Sequence, residues 1–396
     1  MLVIGLTGSF GSGCSAVAQI LAQTEAFHVE KLSKTIREEA ERRNEDPDDR
    51  HVLQDVGDDL RRRFGTAVLA NRALKAAKRA APDKDWVFDG FRNLGEIACL
   101  RSQFPNAYIV AVDAARDIRY SRLKQRYKKN EAAFDDDDAR DQLEPWEYGQ
   151  QVSPCVDAAD VLILNEDDWR KSNTRREKLV DRVLDVIRLM RAPGRSRPPS
   201  QPERLMQHAY SASLLSSCLK RQVGAVIATD ENDVVAMGYN EVPFGQETCR
   251  TRHSGRCHRD IIRAGYLENL GKLKCECGQK VDVKSPCSCG RDSSGLYLAG
   301  KVLDSCLALH AEENAILQGT RTVSARLDGT TLYTTTFPCL PCANKIVSAK
   351  IKEVVYVEPY PIKEAAEVLE SAGVRTRRFE GVKAQAFFKL FKTVPS

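Results

Sequence analysis

The sequence lacks the long apolar runs that a membrane protein needs, and it has few aromatic residues. No apolar run in its 396 residues approaches the roughly 18 that a transmembrane helix requires, and no signal-peptide pattern opens the chain, so we expect a cytoplasmic protein. Only 7% of the residues are aromatic, and 60 basic against 55 acidic side chains leave a net charge of +5. Nucleic-acid grooves are basic and rich in stacking side chains, so these values argue against nucleic acid as the main partner without excluding it as a substrate or a regulator.

Cysteine, by contrast, is abundant, with 13 in the chain. Disulfides are rare in a protein without an export signal, so metal ligation is the better explanation for several of these thiols. Two of them, Cys339 and Cys342, lie in the segment FPCLPCANKI. Pro338 and Pro341 are tolerated only at or before the first turn of a helix, so we expect a helix to begin here. Its positive end would lower the pKa of both thiols.

A histidine and a glutamate complete this group. The segment CLALHAEENAIL, predicted to be helical, contains His310 and Glu312. One imidazole and two thiolates give zinc three ligands and leave its fourth position open for water. The order H-x-E, then P-C-x-x-C, is typical of zinc-dependent nucleobase deaminases, in which the glutamate moves protons and does not bind the metal. The alternative, ordinary core residues on unrelated elements, is disfavoured because both halves of the pattern are present.

A glycine-rich segment near the start of the chain points to a second site. The apolar run LVIGL is followed by GSFGSGCS and then by residues with helical spacing. Such a strand, loop and helix cradle phosphate with backbone N–H groups, so we expect a nucleotide to bind at Gly8, Gly11, Gly13 and Ser15. Cys14 replaces the lysine of G-x-x-x-x-G-K-[ST], so the loop is suited to hold a phosphate and poorly suited to transfer one. The alternative is a loop that only packs a strand against a helix.

Strands and helices alternate through the rest of the first half, which predicts a parallel sheet. WVFDG contains Asp89, a suitable magnesium-binding carboxylate, and DDDD at 135–138 is predicted to be an exposed loop. The order of these motifs resembles nucleoside and nucleotide kinases. We therefore predict an N-terminal P-loop kinase-like domain over residues 1–191, a proline-rich linker at 192–202 and a second domain over 203–396.

The second half begins with a predicted helix and hairpin, followed by alternating helices and strands. Its motifs GYNEVPFG, HAEENAIL and TLYTTTFPCLPCANKI resemble the deoxycytidylate deaminase family over residues 203–380. The resemblance implies a cytidine deaminase-like α/β/α fold with a mixed five-stranded sheet. It also implies that His310, Cys339 and Cys342 bind zinc, that Glu312 is the acid–base residue, and that Asn240 and Ala311 contact the substrate.

Further cysteines suggest structural zinc. An insertion at 246–300 contains two C-x-C-G units, which supply four thiolates: Cys275, Cys277, Cys287 and Cys289. The alternative is a disordered loop with exposed thiols. The family resemblance implies another structural zinc bound by Cys249, Cys257 and Cys306, with His253 and His258 as alternatives to Cys257.

A kinase-like domain joined to a deaminase domain resembles the bacterial anti-phage dCTP deaminases. The resemblance implies zinc-dependent hydrolysis of a free deoxycytidine nucleotide, dCTP or dCMP, to the deoxyuridine nucleotide and ammonia, which would deplete dCTP during infection. It also implies a regulatory nucleotide at the glycine-rich loop and a homo-oligomer, dimeric or hexameric. Lys220, Arg221 and Lys345 are candidates for triphosphate contacts or for ordinary surface charges. Three alternatives stay open: a housekeeping dCMP deaminase, a polynucleotide-editing deaminase, and a bifunctional enzyme with a working kinase.

Overall fold

The computed structural model describes residues 1–166, 173–270, 306–321, 326–359 and 363–392. The chain divides into two units, one formed by Met1–Glu203 together with Glu380–Ser396 and the other by Arg204–Phe379. Each unit contains one β-sheet and its own hydrophobic core. Within the described ranges, no helix combines the length and the apolar character that crossing a membrane requires.

Strands and helices alternate over most of the first unit. In chain order its elements are β1 (Val3–Thr7), α1 (Cys14–Thr24), β2 (His28–Lys31), α2 (Leu32–Arg42), α3 (Arg50–Phe64), α4 (Val68–Ala80), β3 (Trp86–Phe91), α5 (Leu94–Gln103), β4 (Tyr108–Asp113), α6 (Arg116–Leu123), α7 (Glu131–Gln142), α8 (Val152–Asp157), β5 (Val161–Leu164) and α9 (Asn173–Arg191).

The division between the units falls within the next helix, after which the second unit begins. Its elements are α10 (Gln201–Ser213), β6 (Gly224–Ala228), β7 (Val234–Tyr239), α11 (Cys249–Arg252), α12 (His258–Leu270), α13 (Ala311–Arg321), β8 (Thr331–Thr336), α14 (Leu340–Ser348), β9 (Glu353–Glu358), α15 (Lys363–Ser371) and β10 (Arg375–Arg378). The chain then returns to the first unit with β11 (Gly381–Val382) and α16 (Ala384–Phe391).

The sheet of the first unit has the strand order β11-β5-β4-β1-β3-β2. Its strands pair in parallel except β11, which is antiparallel to β5, so the sheet is mixed rather than purely parallel. Every residue of β1, β4 and β5 is buried. Strands covered on both faces read as continuous apolar runs, as the run LVIGL at β1 does in the sequence. Assignment of this unit to the P-loop kinases stays a prediction.

The C-terminal segment differs from the predicted domain limits, because it packs in the first unit and not with residues 204–379. Val382, Ala386 and Leu390 are fully buried in the first unit's core. The Nζ of Lys383 donates hydrogen bonds to the carbonyl oxygens of Val156 and Asp157 at 2.8 and 2.9 Å. The helix AQAFFKLFK is amphipathic, and an apolar helix face does not itself specify the sheet against which it packs.

The prediction of an exposed loop at DDDD is wrong. These residues lie within α7, and Asp137 is buried. Arg119 forms a salt bridge with Asp138, with Nη1 2.6 Å from Oδ1. Near the end of α7, Arg50 and Arg92 both pair with the fully buried Asp141. Acidic residues enter the interior here because arginines from distant parts of the chain neutralise them, which the local sequence does not reveal.

The second unit confirms the predicted mixed five-stranded sheet, with the order β10-β9-β8-β6-β7. The pairs β6–β7 and β6–β8 are antiparallel, and β8–β9 and β9–β10 are parallel. Helix α13 lies unusually close to β7, since a Cβ on Gly238 would be only 2.2 Å from the carbonyl oxygen of Ala311. Glycine at this position therefore allows the first turn of α13 to reach the sheet.

Candidate active site

Three metal-binding side chains meet between the starts of two helices in the second unit. His310 immediately precedes α13, and Cys339 is the N-cap of α14, with Cys342 in its first turn. His310 Nδ1 lies 3.1 Å from Cys339 Sγ and 3.4 Å from Cys342 Sγ. Among the described residues, this is the one group of three or more His, Cys, Asp or Glu side chains whose ligand atoms all lie within 4.8 Å of one another.

The electrostatics of this group favour a thiolate. A hydrogen bond from Cys342, together with His310, lowers the pKa of Cys339 to about 4. The same hydrogen bond raises the pKa of Cys342. The hydrogen bond with Cys339 raises the pKa of His310. Both cysteines are free thiols rather than a disulfide.

The donor set fits zinc. The ligand atoms of a tetrahedral zinc site with one imidazole nitrogen and two sulfurs lie roughly 3.5 Å apart. The distances of 3.1 and 3.4 Å from His310 Nδ1 to the two sulfurs are close to this value. Both cysteines are buried, so their sulfurs are shielded from competing solvent. The predicted zinc ligands His310, Cys339 and Cys342 are thus brought together by the fold.

Glu312 lies beside this group, in the first turn of α13, and only 4% of its surface is exposed. Cys342 Sγ lies 3.7 Å from Glu312 Oε2. Burial raises the pKa of Glu312 to about 7, because a buried carboxylate loses its hydration. A carboxyl group that titrates near neutrality can both accept and donate a proton, as acid–base catalysis requires.

A cavity of about 230 Å³ is lined by His310, Glu312 and Cys339. Thr336 and Phe337 form part of its wall, and Lys220, Arg221 and Arg259 supply positive charge. Lys220 Nζ lies 2.5 Å from Asp260 Oδ2, and Arg221 pairs with Glu358. Of the three cations singled out from the sequence, Lys345 does not line this cavity and instead pairs with Glu313 at 2.9 Å. Arg259 could not be singled out from the sequence, because only the fold places the start of α12 here.

Glu241 is a second residue that sequence reasoning missed. Its backbone forms an isolated bridge with Leu309, next to His310. Its carboxylate accepts hydrogen bonds from the backbone N–H and the hydroxyl of Ser217, both at 2.7 Å. Glu241 therefore joins the wall of the cavity to the segment that carries the histidine. The feature of the sequence that could have identified Glu241 was an acidic residue directly after Asn240 in the motif GYNEVPFG.

Asn240 lines the cavity, but its side chain is engaged with the backbone. Its Oδ1 accepts a hydrogen bond from Val223 N at 2.7 Å, and its Nδ2 donates to the carbonyl oxygen of Arg221 at 2.9 Å. The Ser216 hydroxyl donates to the backbone carbonyl of Asn240 at 2.6 Å. Ala311 is fully buried and also lines the cavity. A substrate contact at Asn240 and Ala311 stays a prediction, whereas the hydrogen bonds of Asn240 fix the segment that carries Arg221.

The other predicted zinc ligands are divided between described and undescribed residues. Cys249, Cys257 and Cys306 all line the cavity, as does His258, whose Nδ1 lies 2.9 Å from His253 Nε2. Within the described ranges they do not form a group as tight as that of His310. A further zinc there stays a prediction. The same holds for the four thiolates that lie outside the described residues, Cys275, Cys277, Cys287 and Cys289.

The glycine-rich loop lies in the first unit, between β1 and α1. Gly8, Gly11 and Gly13 have φ angles of 154°, 82° and 109°. All three line a cavity of about 710 Å³, as do Cys14 and Ser15. The Ser15 hydroxyl donates to Asp89 Oδ2 at 2.7 Å, which brings the loop together with the acid predicted at the end of WVFDG.

Comparisons with known proteins identify relatives of two kinds. The cytidine and deoxycytidylate deaminase zinc-binding region matches residues 199–358. The deoxycytidylate deaminase of Schizosaccharomyces pombe is 35% identical over 188 residues, which cover 47% of this chain and 46% of that protein. The enzyme of the same name from enterobacteria phage T4 is 32% identical over 174 residues, 43% of this chain and 85% of the phage protein. A UPF0200 protein of Aeropyrum pernix is 32% identical over 164 residues, 41% of this chain and 84% of its own length.

The chain spans about half the length of the yeast relatives it matches. It covers most of the phage T4 protein and most of the Aeropyrum protein. The sequence is thus related to two kinds of protein, the UPF0200 proteins and the deoxycytidylate deaminases. The metal-binding group lies within the region shared with the deaminases. The chain belongs to the UPF0200 family in one part, and through residues 199–358 it belongs to the cytidine and deoxycytidylate deaminase family.

Proposed function

We propose that this protein is a zinc-dependent hydrolase that deaminates a free deoxycytidine nucleotide. The observation that carries this proposal is the meeting of His310, Cys339 and Cys342 beside the buried carboxyl group of Glu312, with His310, Cys339 and Glu312 lining one cavity. Relatives named deoxycytidylate deaminase support a cytosine nucleotide as the substrate class. The reaction consumes water and converts the exocyclic amine of cytosine to a carbonyl group, with ammonia as the second product.

The three metal ligands and Glu312 have different roles in the reaction. Zinc bound by His310, Cys339 and Cys342 would supply the Lewis acidity that activates a water molecule at neutral pH. Glu312 accepts the proton of the water that attacks C4 and transfers it to N3 of the cytosine ring. The carboxylate then takes the second proton, from the hydroxyl group now on C4, and gives it to the amine, so that the C4–N bond breaks, the C4 carbonyl forms and ammonia leaves. The burial of Glu312 keeps bulk water away, so the proton passes to the substrate.

The cations of the cavity bear on the choice between dCTP and dCMP. Lys220, Arg221 and Arg259 line the cavity, and Lys220 and Arg221, which pair with Asp260 and Glu358, would have to exchange these carboxylates for phosphate. We propose that dCTP is a substrate, and that dCMP is accepted with fewer contacts. A housekeeping enzyme that supplies dUMP would instead prefer dCMP.

Ammonia release from separate samples of dCMP, dCTP, CTP and oligo-dC tests the proposal, with zinc measured on the same preparation. We expect turnover of dCTP, with at least tenfold lower efficiency for CTP and none for oligo-dC. If dCMP alone is turned over, the proposed role in dCTP depletion is wrong, and the enzyme instead supplies dUMP. Reaction of the oligonucleotide alone would contradict the free-nucleotide proposal.

We further propose that the enzyme depletes dCTP in the cytoplasm of infected cells and acts as a homo-oligomer. The support is the resemblance of the two-part chain to the anti-phage dCTP deaminases. Cells that express the protein should show a lower dCTP pool after infection and fewer plaques than cells that express Glu312→Ala. Equal plaque counts would contradict the defensive role. Light scattering on the purified protein tests the oligomer, and a monomer would contradict it.

A further inference from the structure

Three large apolar side chains of the first unit are exposed around the start of α5. Phe64 ends α3, Leu94 begins α5, and Trp146 lies in the loop between α7 and α8. Their side chains are 54%, 41% and 59% exposed. Apolar surface in water is unfavourable, and a contiguous exposed patch of it marks a contact site.

The loop that carries Trp146 is bound to the start of α5. Asn93, directly before Leu94, donates from Nδ2 to the carbonyl oxygens of Glu147 and Gly149 at 2.8 and 3.0 Å. The N–H of Gly149 donates to the carbonyl oxygen of Trp146 at 3.0 Å, which closes a tight turn. These bonds hold the tryptophan in place before a partner arrives, so binding through it costs little conformational entropy.

The end of α3 reaches the same part of the surface. Gly95 lies so close to Thr66 that a Cβ on Gly95 would be 2.2 Å from Thr66 Oγ1. Thr66 is two residues beyond Phe64, so Phe64 and Trp146 both neighbour the first turn of α5. We call Phe64, Leu94 and Trp146 the apolar patch.

Opposite charges border the apolar patch. Glu147 is exposed directly after Trp146, whereas the guanidinium carbon of Arg72 lies 5.6 Å from the centre of the Phe64 ring. Lys75 is exposed on α4, about one turn after Arg72. None of these three charged side chains forms a salt bridge with another residue that the structure describes. The patch therefore has an acidic border at Trp146 and a basic border at Phe64.

Such a surface is complementary to a second copy of itself. In a two-fold symmetric contact both copies use the same surface, so each pair of residues meets twice. The acidic border of one copy can then face the basic border of the other, while the apolar centres pack together. Tryptophan and arginine, which the patch and its basic border contain, are also the residues that most often dominate the energy of protein interfaces.

We propose that the apolar patch is a two-fold interface through which the first unit binds a second copy of this chain. Trp146 packs against Phe64 of the second copy, and Glu147 pairs with its Arg72 and Lys75. None of these residues lines either cavity. The inference assigns a contact between copies to the first unit, and it does not depend on the function proposed for the second unit.

Sedimentation velocity on the full chain, over a range of concentrations, tests this inference. Trp146→Ala should weaken self-association at least tenfold and so reduce the size of the assembly, because it removes the centre of the contact. Glu147→Lys and Arg72→Glu should each have an effect of the same size, since each sets like charges against one another twice. The controls Glu177→Lys and Arg188→Glu make the same changes of charge at exposed positions of α9 and should leave the assembly unchanged.

A mixture of the two charge variants tests the symmetry. When Glu147→Lys meets Arg72→Glu, the two substituted positions pair with opposite charges and the other pair keeps its native charges. The mixture should therefore associate as tightly as the wild type, which also shows that both variants are folded. Association of the mixture no tighter than that of either variant alone would overturn the assignment.

Three further outcomes would contradict the inference. The first is a wild-type protein that is monomeric at every concentration, and the second is wild-type self-association in Trp146→Ala. The third is association that begins only when single-stranded nucleic acid or another protein is added, because the patch would then serve that partner.

Discussion

The sulfur of Cys342 lies 3.7 Å from Oε2 of Glu312, which joins a metal-binding side chain to the buried acid. The two residues come from different helices, α14 and α13. This contact holds the carboxyl group beside the metal-binding group without making it one of the three grouped ligands. Loss of the metal and loss of catalysis can therefore be measured separately, the first by substituting a metal ligand and the second by substituting Glu312.

Glu312→Gln should retain zinc and lose catalysis. Glutamine has nearly the shape of glutamate but cannot accept the proton, and acid–base groups typically contribute 10²- to 10⁴-fold, so we expect kcat to fall by about that factor. Ammonia release and metal analysis on one preparation measure both effects. Glu313→Gln is the matched control, since Glu313 pairs with Lys345. Activity of Glu312→Gln within tenfold of the wild type would contradict the assigned role.

Cys339→Ala should lose one zinc per chain and all measurable deamination. The variant removes the thiolate whose pKa is about 4, and the remaining two ligands hold zinc poorly. The control Cys99→Ala changes a partly exposed thiol of the first unit and should keep both metal and activity. Metal analysis after dialysis against a weak chelator measures the difference. Unchanged zinc in Cys339→Ala would place the metal elsewhere.

Asn240→Ala should destabilise the second unit as well as weaken substrate binding. It removes the acceptor of the Val223 N–H and the donor to the Arg221 carbonyl, and a buried group left unpaired costs about 1–3 kcal/mol. Calorimetry and hydrogen exchange over residues 216–224 measure the loss. Asn240→Asp, which keeps the acceptor, should exchange more slowly than Asn240→Ala. A raised KM with unchanged exchange would show that Asn240 acts on the substrate alone.

Because Lys383 is buried, we expect the free energy of unfolding to rise with pH. Burial lowers its pKa from the ordinary 10.5 to about 8. Between these values the unfolded chain binds more protons than the folded one, so the free energy of unfolding rises as the pH increases from about 8 to 10.5. The rise is at most about 3 kcal/mol.

Urea unfolding followed by tryptophan fluorescence measures this rise, because all three tryptophans belong to residues 1–203 of the sequence. Lys383→Met should remove the rise, whereas Lys392→Met, at an exposed position of the same segment, should keep it. Equal slopes in wild type and Lys383→Met would contradict the prediction.

Leu390→Ala should destabilise the first unit. Leu390 is completely buried in that unit's core, and such truncations typically cost about 2–5 kcal/mol. The tryptophan-detected urea transition measures the change. Phe388 lies in the same helix and is 66% exposed, so Phe388→Ala should change stability by no more than about 0.5 kcal/mol. If Leu390→Ala leaves the tryptophan transition unchanged, α16 is not part of that core.

The metal-binding group could be predicted because its determinants are local. Pro338 and Pro341 mark the start of a helix, and two thiols within its first turn can meet only a few partners. His310 and Glu312 share one short segment, His310 directly before α13 and Glu312 in its first turn, so the start of one helix places both. The mixed sheet of the second unit was predicted from the resemblance of its motifs to the deoxycytidylate deaminase family, not from local patterns alone.

Other features depend on contacts between distant parts of the chain. Arg259 and Glu241 line or support the deaminase cavity only because the fold brings α12 and the segment after β7 to it. The burial of Asp141 depends on Arg50 and Arg92, which precede it by 91 and 49 residues. Local patterns of hydrophobicity and charge contain no information on such partners.

The return of residues 380–392 to the first unit makes the second unit a nested domain, connected to its host at both ends. Glu203 Oε1 accepts a hydrogen bond from Val382 N at 2.9 Å, so the two points where the host sequence is interrupted are neighbours. A single proteolytic cut between 192 and 202 would therefore leave the nested domain attached through its other end. Conversely, a short loop from Glu203 to Glu380 would restore an uninterrupted host, as domain insertions generally permit.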